Sequence, residues 1–253
     1  MRRASEGCAA LRRRRGRRAQ LTASLPRLLH QTRPDTVVGM SLASPVVGFD
    51  LDMTLIDSRP GIGAVYDLLA AETGVTIDSA LVTSRLGPPL AAELANWFPA
   101  EQVPAMVERY RALYPDHAIT PSVALPGAAE ALAAVRRLGG STVVVTSKYA
   151  PSARLHVEHL GLPVDDLVGE LYAAAKGAAL AERGAIVYVG DHTADIAAAR
   201  AAGTVSVAVA TGPFDADALR AAGADVVLDD LSSFPTWLAE YVAPARPAAS
   251  GPS

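Results

Sequence analysis

The stretch VVGFDLDMTLIDS (residues 46–58) decides the fold. An apolar run leads into Phe49, and two carboxylates, Asp50 and Asp52, follow one residue apart. Like charges at that spacing repel by about 1–4 kcal/mol unless something offsets them. Either solvent screens the pair in an ordinary turn, or a cation sits between them and the pair does chemistry. PVVGF (45–49) reads as a short buried strand, so the carboxylates stand where a strand ends.

Downstream, residues 60–73 read as a helix with Ile62, Val65, Leu68 and Leu69 on one face. A Gly-Pro-Pro break interrupts GVTIDSALVTSRLGPPL (74–90), and helices are expected over 90–98 and 100–114. ITPSVALPG (119–127) reads as a connector and 127–138 as a helix ending at Gly139-Gly140. Then strand and helix alternate: strands at 141–147, 166–173, 185–191, 204–210 and 224–230, helices at 151–160, 175–183, 193–202 and 215–222. This rhythm predicts an α/β fold, a Rossmann-like parallel sheet flanked by helices. The segment between 59 and 125 is too long for a simple crossover and is expected to form a small helical cap inserted after the first strand. Residues 44–58 and 126–240 would make the core domain, and 241–253 a disordered tail.

In parallel α/β sheets ligands bind beyond the carboxyl ends of the strands. Those ends carry Asp50, Asp52 and Thr54, then Thr146, Ser147 and Lys148, then Gly190 and Asp191 with Asp195 one turn later. Lys176 opens the helix before the third of them. Four carboxylates on one edge call for a cation. Oxygen ligands with few histidines favour Mg²⁺, which takes one or two carboxylates together with substrate phosphate. Hydroxyl, backbone N–H and Lys suit phosphate oxygens. A carboxylate can attack phosphorus, and a second can protonate the leaving alcohol. His156 and His159, three apart, read as one partly exposed helix face, and His192 as a residue of the site's rim.

These four segments resemble the haloacid dehalogenase superfamily of phosphohydrolases. DLDMTL (50–55) is similar to its Asp-x-Asp-x-Thr motif, VVVTSK (143–148) to its strand ending in Thr or Ser, and VGDHTAD (189–195) to its Gly-Asp-x-x-x-Asp motif; Lys176 fits the remaining one. The resemblance covers about residues 45–230 and is nearest the phosphoglycolate phosphatase-like branch, whose cap is helical and lies between the first two motifs. It implies a Mg²⁺-dependent phosphomonoester hydrolase of a small phosphorylated metabolite, working through an aspartyl-phosphate. Asp50 would be nucleophile and metal ligand; Asp52 would be general acid/base, with its backbone carbonyl on the metal. Thr146 and the Ser147 backbone would hold the phosphoryl group, Lys148 would assist, and Lys176 would neutralise phosphate and Asp50. Asp191 and Asp195 would complete the metal site, and Arg85, in SRLGPPL (84–90), would orient a substrate acid group from the cap. Three positions depart from the family pattern: Met53 where Gly is common, Ser147 where Asn is, and Lys176-Gly177 in place of Lys-Pro. A phosphomutase or pyrophosphatase remains an alternative, as does, from another class, a phospho-acceptor signalling domain or a nucleic-acid-binding protein using the Arg-rich N-terminal block.

Composition narrows the setting. The chain has 253 residues and a net charge of −3, but residues 1–39 alone hold ten Arg against Glu6 and Asp35. No aromatic residue interleaves LRRRRGRR (11–18), so base stacking has no platform and a nucleic-acid partner is not expected. Residues 1–43 are expected to be a disordered or artefactual N-terminus, with Met40 a plausible start. The single cysteine, Cys8, rules out an intramolecular disulfide and fits a cytoplasmic setting. No apolar run is long enough to predict a membrane span. Oligomeric state is not legible.

Overall fold

The computed structural model describes residues 44–243. Its strands are β1 (Val46–Phe49), β2 (Ile56–Asp57), β3 (Val123–Ala124), β4 (Ser141–Val145), β5 (Asp166–Val168), β6 (Ala185–Gly190), β7 (Val205–Val209) and β8 (Val226–Leu228). Six of them form one parallel sheet in the order β5-β4-β1-β6-β7-β8. β1 is central, pairing Phe49 with Val144 of β4 on one side and Val189 of β6 on the other. The ladder runs on to the first carboxylate, because the Asp50 N–H donates to the Val189 carbonyl at 2.8 Å. The chain leaves β1 for β4 and β5, then crosses back to β6. That reversal opens a crevice beyond the carboxyl ends of the central strands.

The period of two along each strand sorts the core into two layers. Val47, Phe49, Val144, Val187 and Val189 face one side. They pack on Leu132 and Val135 of α5 (Ala128–Arg137) and on Phe234 and Leu238 of α10 (Phe234–Val242). Val143, Val145 and Tyr188 face the other, against Leu180 of α7 (Ala174–Glu182) and Ala198 and Ala199 of α8 (Thr193–Ala202). Each such aliphatic or aromatic side chain contributes about 1.5–3 kcal/mol on burial. Helices α6 (Ala150–His159) and α9 (Ala216–Ala221) complete the two faces.

The inserted segment holds α1 (Arg59–Thr73), α2 (Ser79–Ser84), α3 (Leu90–Leu94) and α4 (Val103–His117). Pro60 sits in the first turn of α1, where its missing N–H costs nothing, and Gly74 ends the helix at φ 72°. These helices surround their own apolar cluster, with Val65, Leu69, Leu94, Phe98 and Tyr114 buried in it. The segment leaves and returns through the antiparallel pair β2–β3, Ile56 opposite Ala124.

Several elements differ from expectation. The helix expected over 90–98 stops at Leu94, followed by turns closed by Trp97 N–H on the Leu94 carbonyl at 3.0 Å. Pro99 stands just beyond, and the residue before a proline is biased away from helical geometry. The strand expected over 166–173 keeps only Asp166–Val168. The connector at 119–127 contains β3. α10 carries through Tyr241 to Val242, inside the tail expected from 241. The remainder of that tail and the Arg-rich block lie outside the described residues.

Candidate active site

Asp50 leaves the end of β1, Asp191 the end of β6, and Asp195 stands in the first turn of α8. Each offers a carboxylate oxygen within 4.8 Å of the others, and all three are buried. Lys176, in the first turn of α7, places Nζ 2.7 Å from Asp195 Oδ1 and 3.1 Å from Asp50 Oδ2. Thr54 donates to Asp191 Oδ1 at 2.9 Å, and the Leu51 N–H donates to Asp50 Oδ1 at 2.8 Å. The Tyr188 hydroxyl lies 2.7 Å from the Val145 carbonyl and 3.2 Å from Asp195 Oδ1, fixing that carboxylate from behind.

Asp52 belongs to a different cluster. Lys148 Nζ lies 2.8 and 3.0 Å from its two oxygens, and Ser58 donates to the same carboxylate. The ammonium sits 4.9 Å above the Tyr114 ring, and the Tyr114 hydroxyl meets His156 Nε2 at 2.9 Å.

The two carboxylates of the opening stretch therefore stand in opposed environments. Burial pushes Asp50 up to about 6; Lys176 opposes this, while Asp195 and Asp52 repel further charge. Burial, then Asp195 and Asp50, hold Asp191 well above the usual carboxylate range. Burial also works against Asp52, but the Lys148 ammonium and the Ser58 hydroxyl overcome it and hold that carboxyl below its ordinary value. One lysine does not neutralise three clustered carboxylates. An all-oxygen, net negative, buried trio fits a hard divalent cation, which would sit among Asp50, Asp191 and Asp195.

Asp50, Asp52, Ser147 and Lys148 share the wall of a cavity of about 300 Å³ with side chains of α1, α2, α3, α4 and the 84–90 loop. That loop is pinned to the sheet edge: the Ser147 hydroxyl donates to the Gly87 carbonyl at 2.9 Å. On its other side Gly87 lies against the His192 ring.

The structure brings most expected residues together and reassigns a few. Thr146 is buried, and its hydroxyl accepts from the Lys148 N–H at 3.2 Å, shaping the loop that carries Lys148. The Arg85 guanidinium lines the cavity and is paired with Glu93 through Nη2 and Nε, at 2.7 and 3.1 Å. His192 caps α8, its Nδ1 accepting the Ala194 N–H at 3.0 Å, and does not line the cavity. His156 is fully buried, while His159 is exposed; they do not form one exposed face. Met53 does not line the cavity either; its backbone is left-handed, at φ 60°. Glycine adopts that conformation without strain, which explains the family's preference.

Sequence reasoning missed Ser58, Tyr188, Tyr114 and Gly212. Ser58 lies six residues past Asp52, at no recognisable motif spacing; only the turn into β2 folds it back. Gly212 follows β7 and lies against Asp191, where any Cβ would fall 1.8 Å from Oδ2.

A parallel α/β sheet with clustered carboxylates and lysines at the central strand's carboxyl end suits phosphoryl transfer. The profile of the haloacid dehalogenase-like hydrolases matches residues 47–209, and the chain belongs to that family; it is an enzyme of its phosphatase type. It is 30% identical to the phosphoglycolate phosphatase of Rhodospirillum rubrum over 75% of this chain and 89% of that one. It is also 30% identical to the protein named "Probable phosphatase IndB" of Dickeya dadantii, over 74% of this chain and 90% of that one. Among solved structures, the one titled "a predicted phosphatase from Clostridium acetobutylicum" superposes with a TM-score of 0.68 at 23% identity, over 78% of this chain and 99% of that one.

Proposed function

We propose that the chain is a Mg²⁺-dependent phosphomonoester hydrolase acting on a small phosphorylated metabolite through an aspartyl-phosphate on Asp50. The observation that carries this is the opposed setting of Asp50 and Asp52: one carboxylate in a cation-demanding trio, the other held by its own lysine. Pairs of acids pushed apart in this way take different roles.

Asp50 Oδ attacks phosphorus, and the bond from phosphorus to the leaving oxygen breaks. Asp52 gives that oxygen a proton, so a neutral alcohol departs. Water then attacks the phosphorus of the aspartyl-phosphate, Asp52 takes its proton, and the bond to Asp50 breaks to release inorganic phosphate. Ion-paired to Lys148, Asp52 is a base. A phosphate dianion drawn to Lys148 competes for the ammonium and lets Asp52 hold the proton it must donate. Lys176 keeps Asp50 oriented and offsets charge as phosphate arrives. The Ser147 N–H would hold phosphate, because the Thr146 N–H is spent on the Val168 carbonyl at 3.0 Å. The divalent cation, held by Asp50, Asp191 and Asp195 with the Asp52 carbonyl, would supply electrostatic neutralisation of nucleophile and phosphate.

Residues 59–125 serve as the cap and 44–58 with 126–240 as the core. Among the described residues no helix is long and apolar enough to cross a membrane. A metabolite substrate and a single cysteine suit a cytoplasmic site of action.

Asp50→Asn is expected to abolish Mg²⁺-dependent turnover of p-nitrophenyl phosphate, and EDTA to do so reversibly in the parent. Turnover retained by the variant would overturn the assignment.

A further inference from the structure

We infer that the leaving alcohol of the substrate is uncharged and ring-bearing, and that the cavity discriminates against carboxylated phosphoesters such as 2-phosphoglycolate. This rests on the phosphatase reading above and concerns what lies beyond the phosphate.

Each cation on the cavity wall has a carboxylate partner, although the Arg111 Nε is buried without a hydrogen bond. Arg85 is held by Glu93 at 2.7 and 3.1 Å. Arg111 is held by Glu170 at 2.6 Å, with Glu108 at 3.6 Å, and lies 4.0 Å over the Tyr149 ring. Lys148 is held by Asp52 at 2.8 Å. A carboxylate on the organic part of a substrate would find each guanidinium already charge-paired and would sit beside Glu93 or Glu170. Like-charge juxtaposition of that kind disfavours the carboxylate, less so at Glu170, whose side chain is 51% exposed.

The rest of the wall favours a neutral ring. Tyr66, Tyr110 and Tyr114 form a continuous aromatic row, with centroids 5.0 and 5.5 Å apart, and all three line the cavity. Ile62, Leu86 and Val107 extend the apolar surface. Tyr66 and Tyr110 are only 2% and 7% exposed, yet among the described residues neither hydroxyl has a hydrogen-bond partner. Neither oxygen is among the buried polar atoms left without a partner, so both open onto the cavity, where a ligand's neutral hydroxyl, carbonyl or amide would accept from them. Burial raises both phenols well above their ordinary range, so they meet the ligand as neutral donors. The cavity of about 300 Å³ also matches a ring-sized organic group. Glycolate would leave most of it unfilled.

The test compares kcat/KM of the full chain with Mg²⁺ on phenyl phosphate, a nucleoside 5′-monophosphate and 2-phosphoglycolate, followed by phosphate release. At least one ring-bearing ester is expected to exceed 2-phosphoglycolate by about fivefold or more. A smaller lead, or the reverse order, overturns the inference and leaves the phosphatase reading standing. No release from any ester overturns both. Glu93→Gln keeps an acceptor for the Trp97 indole N–H, which now lies 2.9 Å from Glu93, while freeing Arg85 of its counter-charge. It is expected to raise the ratio of 2-phosphoglycolate to phenyl phosphate turnover about tenfold. An unchanged ratio would overturn the part assigned to the Arg85–Glu93 pair.

Discussion

At Met53 the side chain is 2% exposed while the backbone holds φ 60°. The left-handed conformation costs about 1–3 kcal/mol for a residue with a Cβ. Emptying the space of a buried Met costs about 2–5 kcal/mol. Met53→Gly is therefore expected to lower unfolding free energy by about 1–3 kcal/mol in urea titrations, despite relieving the strain. His156 makes a pH-dependent contribution. Burial and the nearby Lys148 push it down to about 4, with Asp52 opposing, His159 adding to the depression, and Tyr114 on its Nε2. Its neutral form is favoured only in the folded state, so its stabilisation is full above about 6.5 and is lost as pH falls towards 4. The linkage is worth about 3 kcal/mol across that window. Denaturation of His156→Gln is expected to depend less on pH there than the parent's. Asp50 makes cation binding depend on pH in the same direction. Its raised carboxyl must lose a proton to take a cation, so Mg²⁺ affinity should rise with pH through about 6, with proton release seen by calorimetry. Gly212→Ala should weaken that binding, because its methyl displaces Asp191.

The 84–90 loop joins the inserted helices to the catalytic edge at two points, Ser147 and His192. Gly87 lies at φ 139°, and a Cβ there would come within 2.7 Å of the His192 ring. Gly87→Ala is expected to lower kcat/KM about ten- to a hundredfold, the scale of a small displacement of positioning groups. Circular dichroism should show little change. At this scale the sequence was informative where pattern and punctuation agreed. Helices α1, α5 and α8 and strands β1, β4 and β6 stand within one or two residues of their expected ends. It was weak where pairing is non-local. β2 and β3 are two residues each, and only their meeting across more than sixty residues makes them strands. The site divides in the same way. The motif carboxylates and lysines were legible because strand ends converge in a parallel sheet. The engagement of Arg85 by Glu93 was not, because it depends on how α2 and α3 pack.

At the scale of the whole molecule, the carboxylate trio draws on two segments far apart in sequence, Asp50 after β1 and Asp191 with Asp195 after β6, so a cation bound there would tie β1 to β6 and α8. A ligand that binds only the folded state stabilises it by about 2.7 kcal/mol at a hundred times its dissociation constant. Mg²⁺ is expected to raise the thermal midpoint of the parent and to leave that of Asp191→Asn nearly unmoved. The narrow β2–β3 neck has a further consequence, for descent and for engineering. Because all of residues 59–121 hang from two adjacent strands, their exit and entry points lie side by side. Such a segment behaves as a cassette: a tight turn between Asp57 and Val123 would close the chain without re-routing the sheet, and a foreign cassette spliced at the same two points would inherit the reaction while bringing its own choice of substrate.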